Sequence, residues 1–122
     1  MSPAIAIAAI LATAVAAAHS YLGERYILIR LFRRQDLPHL FGSDAFTKQT
    51  LRFAWHLTSV TWIGIAAALW ALDRGSVGGA MRAISVTFFV CGAVSLVASR
   101  GRHLSWIAFL GIAASAWIGA PP

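Results

Sequence analysis

Three histidines stand where a membrane protein can do chemistry with them. His19, His56 and His103 each lie in or beside a long apolar run, and Glu24 follows His19 by five residues. Imidazole carries protons near neutral pH and ligates metals. Three imidazoles and a carboxylate match the donor set of a zinc, copper or iron site. Two imidazoles on facing helices match axial ligation of haem b, with arginines above pairing the propionates. A quinone is a third occupant of the same donors. Ser59, Ser95, Arg52 and Arg100 form the polar support around them. No Cys-x-x-Cys-His and no His-x-x-x-His pair occurs.

Depth is the reason for grouping these residues. At about 1.5 Å of rise per residue, His19, His56 and His103 lie roughly 10, 9 and 12 Å from the midpoints of their helices. Ser95 falls at a similar depth. Because the helices alternate in direction, all these residues come out near one end of the molecule. The plainer reading is that histidines near helix ends meet headgroups or helix carbonyls. On that reading Glu24 is the ion-pair partner of Arg25 or Arg52, and His39, beside Pro38, is solvated. Thr58, Ser59 and Thr61 bond carbonyls one turn back.

The elements that carry these residues are membrane helices. Of 122 residues, 59% are hydrophobic and 11% charged, against about a quarter charged in soluble domains. The charges cluster and leave long uncharged windows. The net charge of +6 does not indicate nucleic acid, because the basic residues sit at the edges of apolar spans. Cys91 is the only cysteine, so no intrachain disulfide forms.

Spans are predicted over about 3–22, 51–72, 80–99 and 103–119, with a basic cytoplasmic loop over about 24–50. Ala16-Ala17-Ala18 resembles a signal-peptidase site. Met1-Ser2-Pro3 supplies no basic n-region, so residues 1–18 are read as retained. Tyr26 to Phe32 continues the first helix as an interfacial extension, with Arg30, Arg33 and Arg34 reaching for phosphates. Ser43 is the expected N-cap of the second helix, and Asp44 and Lys48 an i,i+4 pair. Ser85, Gly92, Ser95 and Ser99 form a small-residue packing seam on the third helix.

Arg25, Arg30, Arg33, Arg34, Lys48 and Arg52 flank the first connection, and Arg100 and Arg102 the third. Only Arg74 and Arg82 flank the second. This asymmetry predicts both termini outside the cytoplasm. Trp55 and Trp106 then mark the cytoplasmic interface, and Trp70 and Trp117 the opposite one. Trp62, mid-span, has no interfacial explanation.

In size and helix count the chain is similar to the small multidrug transporters. Their mid-helix glutamate has no counterpart in the Ala- and Ile-rich first helix here. Dual-topology fluoride channels are similar in size, but they need balanced flanking charge. Neither family is assigned. The reading is a single all-α domain over 1–122, a four-helix transmembrane bundle of the bacterial inner membrane. It binds a ligand (haem, a transition metal or a quinone) or a partner at the histidine layer. The alternatives are a structural accessory subunit, paired with another membrane protein or with its own copies, and a proton-coupled small transporter. No nucleophile with an adjacent base and no carboxylate pair is visible, so no enzymatic activity is assigned.

Overall fold

The first helix begins at a proline, which fits a first turn because it has no N–H to leave unpaired. The computed structural model describes residues 2–122. Helix α1 runs Pro3–Leu31 and is followed by α2 Ala45–Asp73, α3 Val77–Ser99 and α4 Ser105–Ile118. The first three are long and apolar enough to cross a membrane. The expected all-α, four-helix membrane fold is therefore present.

The helices pack in chain order. α1 lies on α2, α2 on α3, and α3 on α4. The outer two helices each have one main neighbour, which leaves most apolar side chains facing outward. The exposed surface is 7558 Å², against about 6,300 Å² for a compact soluble monomer of this mass. In the most apolar window of α1 only 11% of residues are buried, and in that of α3 28%. Lipid is the medium in which such surfaces are stable.

Helix contacts therefore rest on small residues and polar pairs. A Cβ on Gly23 would run into the indole of Trp55, and one on Gly92 would come 2.8 Å from Leu110. The seam expected on α3 is present, with Ser85, Gly92, Ser95 and Ser99 all buried. Ser85 donates to the Ala113 carbonyl of α4 at 2.6 Å. Phe53 and Leu57 of α2 meet Cys91 of α3, with Phe109 of α4 against them.

Two helix starts and one cap differ from expectation, while the expected extension of α1 is present. α1 continues past Leu22 to Leu31 through a π-helical stretch, Gly23–Leu28. The π-helical turn has a tertiary cause. Trp55 Nε1 donates to the His19 carbonyl at 3.0 Å, and the Gly23 N–H is shared between the carbonyls of His19 and Ser20. A side chain entering the ladder in this way loosens the turn. The basic segment over 24–50 is therefore helical at both ends. At the second helix, Asp44 takes the cap position, while the Ser43 hydroxyl accepts from the Ala45 N–H at 3.3 Å.

The third helix starts at Val77 rather than residue 80, because Ser76 caps it and accepts from the Gly79 N–H. The fourth helix has only 14 residues, about 21 Å of rise against about 30 Å of hydrocarbon. It is shortened by the turn after α3, where Arg100 (φ 52°) and Gly101 (φ 77°) are left-handed. His103 therefore lies in that turn and not on the helix.

Outside the spans, the expected Asp44–Lys48 pair closes at 2.7 Å. Arg34 pairs with Asp36 at 2.6 Å, both side chains exposed. The guanidinium holds the Asp36 carboxyl at about 2. That contact survives through the ordinary carboxylate range and is lost only as pH falls towards 2.

Candidate functional site

The antiparallel contact of α1 and α2 sets a run of polar side chains in one line. Arg52, His56 and Ser59 are spaced along one face of α2, and His19, Ser20 and Glu24 come from α1 where it loosens into its π-helical stretch. Arg52 grips the Glu24 carboxylate, with Nε 3.2 Å from Oε2 and a terminal nitrogen 2.8 Å from Oε1. His56 Nε2 stands 3.1 Å from Glu24 Oε2, and its Nδ1 2.9 Å from Ser20 Oγ. Ser20 donates to Ser59 Oγ at 2.7 Å. Ser59 Oγ stands 3.2 Å from His19 Nδ1.

The protons on this line follow from the sense of the Ser20–Ser59 bond, in which Ser20 donates. The Ser20 hydroxyl gives its one proton to Ser59, so it accepts from His56 Nδ1–H. Ser59 accepts from Ser20, so its own proton goes to His19 Nδ1. His19 then carries its ring proton on Nε2. At the other end, His56 Nδ1 is already a donor, so a second proton must lie between His56 Nε2 and Glu24 Oε2. Without it, a nitrogen lone pair would face a carboxylate lone pair. Every hydrogen bond from His56 to His19 points the same way. One concerted shift along it would move a proton charge from His56 to His19.

Aromatic rings hold the far end. The His19 ring lies flat on Trp55, with centroids 4.6 Å apart and planes 6° apart, and meets the edge of Trp62 at 4.9 Å. His19 also lines a cleft of about 340 Å³ with Trp55, Trp62, Tyr26 and apolar residues of α1. Among the described residues His19 Nε2 has no protein partner. At the near end, Arg52 lies over the Phe32 ring at 4.9 Å.

Three of the expected members, His103, Ser95 and Arg100, stand elsewhere. His103 does not join His19 and His56, because the left-handed turn carries it to the α3–α4 side. There its Nδ1 is 2.8 Å from Ser105 Oγ, which is 2.5 Å from Ser95 Oγ. Phe53 meets the His103 ring edge-on at 5.3 Å. Arg100 caps α3 and joins neither group among the described residues. Four donors from His19, His56, His103 and Glu24 thus do not converge, and among the described residues no group of three His, Cys, Asp or Glu is placed to hold a metal.

Ser20, Trp55 and Trp62 belong to the arrangement although sequence reasoning does not single them out as site residues. Signals for two of them are present. Ser20 adjoins His19, and Trp62 lacks an interfacial role. Trp55 has the position of an interfacial residue, yet its N–H is satisfied inside the fold.

Compared with protein families, with curated proteins and with solved structures, the chain matches none.

Proposed function

We propose that this chain is a small multi-pass protein of the bacterial inner membrane that binds a lipid-soluble, carbonyl-bearing ring of the quinone class at His19. Both termini lie outside the cytoplasm in this reading, on the strength of the basic asymmetry around the connections. The observation that carries the binding proposal is the polarised line from Glu24 to His19. It ends in a ring N–H beside an apolar, tryptophan-walled cleft. An N–H of this kind donates to a ring carbonyl, and the indoles offer flat contact to the ring itself. Entry is from lipid, since the cleft is walled by α1 and α2 alone.

Haem and metal draw less support from the same geometry. Both nitrogens of His56 are engaged, Nδ1 by Ser20 and Nε2 by Glu24. It has no lone pair to give iron without breaking the line.

Tryptophan fluorescence is the direct test. Titrating the detergent-purified protein with a short-chain ubiquinone or menaquinone should quench emission saturably. His19→Phe, which keeps an aromatic ring on Trp55 but removes the N–H, should weaken binding about tenfold, the loss of one well-placed hydrogen bond in a low-dielectric site. Linear, unsaturable quenching of both proteins would defeat the proposal.

A second reading, the accessory subunit, is favoured by a separate observation. Ile7, Ile10, Leu11 and Val15 of α1 are more than half exposed, on a helix with one neighbour. Purification in mild detergent with a larger membrane protein, and without saturable quinone binding, would support it.

A further inference from the structure

Threonines inside helices usually satisfy their hydroxyls by bonding the carbonyl one turn back. Thr13, Thr58, Thr61 and Thr87 do so here, and Thr47 donates to the Pro38 carbonyl. Thr50 does not. Its Oγ1 is buried and has no partner among the described residues. A polar group left in that state costs free energy unless something outside the chain completes it.

Thr50 lines a cleft of about 420 Å³ that runs along α2 to Trp62 and is walled by Phe53, Phe109 and His103. The His103 proton can be placed by counting. Ser95 is fully buried, and among the described residues its hydroxyl meets only Ser105 Oγ, so Ser95 donates to Ser105. Ser105 then donates to His103 Nδ1, which leaves the ring proton on Nε2. The unpartnered Thr50 hydroxyl, itself buried, and the His103 ring with its N–H thus both line the cleft. Below Thr50 the lining runs through Phe53, Ala54, Leu57, Thr58 and Thr61 to Trp62, the two threonine hydroxyls being bonded within α2, a rise of twelve residues or about 18 Å. That is a little more than one leaflet of a hydrocarbon core about 30 Å thick.

We infer that this cleft is a binding site for a diacyl phospholipid, with an ester carbonyl accepting from Thr50 and His103 and the acyl chain lying along α2. The depth agrees with this occupant. Lys48 and Arg52 flank Thr50 on the same helix and Arg102 adjoins His103, so the mouth stands at headgroup level, where ester groups lie. The site is separate from the His19 cleft and shares with it only the Trp62 wall.

Native mass spectrometry tests it with two probes, palmitoyl-oleoyl phosphatidylethanolamine and its diether counterpart. The two share headgroup and chains and differ in the ester carbonyls. The wild-type protein should retain the ester lipid about threefold or more over the ether lipid, the equivalent of one interhelical-strength hydrogen bond. Thr50→Val should lower the ratio, leaving only the share that the His103 N–H carries. Thr58→Val, whose hydroxyl is already satisfied within α2, should leave it unchanged. Equal retention of the two lipids by the wild-type protein overturns the inference, whatever the variants do. A preference undiminished in Thr50→Val overturns it as well. His19→Phe should keep the full preference. Its loss there would put the lipid in the α1 cleft and contradict this assignment while leaving the slot empty.

Discussion

At the scale of single residues, the account rests on which atoms have partners. Gly23 packs directly against Trp55 of α2, and its missing side chain is what lets the indole reach the His19 carbonyl. Gly23→Ala should push the indole away and destabilise the protein by roughly 1–3 kcal/mol, the usual cost of overpacking, read as thermal unfolding in detergent. If the melting temperature is unchanged, the indole is not held as described. Ser20→Ala is a gentler probe. It removes the link between His56 and Ser59 and leaves both histidines in place, at a cost of about 0.6 kcal/mol per lost membrane hydrogen bond. Much of this pattern is legible in the sequence. Arg52, His56 and Ser59 share a face by spacing alone, and Glu24 is an evident partner for Arg52. Ser20 is marked only by adjoining His19, because a lone serine carries no periodic signal.

At the scale of elements, the spans are legible because hydropathy reports directly on lipid contact, and their ends are not. The extension of α1 past Leu22 is legible, but its π-helical turn is tied to Trp55, 36 residues beyond His19 in the chain, entering the hydrogen-bond ladder. No local pattern records that. Depth alone places His103 on the fourth helix. The turn that removes it depends on Arg100 adopting a left-handed backbone, which arginine does not favour. Such a residue carries roughly 1 kcal/mol of strain that glycine would not. Arg100→Gly is therefore expected to raise stability by up to about 1 kcal/mol in chemical denaturation in detergent, although it removes a charge. A destabilised variant would show that the side chain does something the backbone argument omits. On α3, Gly92→Leu should cost roughly 1–3 kcal/mol, since Leu110 already fills the space. No change there would mean that the seam faces lipid.

At the scale of the whole molecule, the four helices form an open series in which the polar groups are concentrated at one end. Charge, the loosened turn of α1 and both clefts with histidine walls belong to that end. The asymmetry of basic residues predicts that a reporter fused after Pro122 is active only outside the cytoplasm; cytoplasmic activity would invert the proposed orientation. The proposed function depends on one feature of this end, a hydrogen-bonded line with a fixed sense that finishes at His19. Nitrogen NMR of histidine-labelled protein in detergent reads that line directly, because the two ring nitrogens of each histidine report which one holds the proton. The account predicts His19 protonated on Nε2 only, a proton on the His56 Nδ1, and a shift at His19 Nε2 when a short-chain quinone is added. A His19 proton on Nδ1, or a quinone-dependent shift at His103 and none at His19, would contradict it.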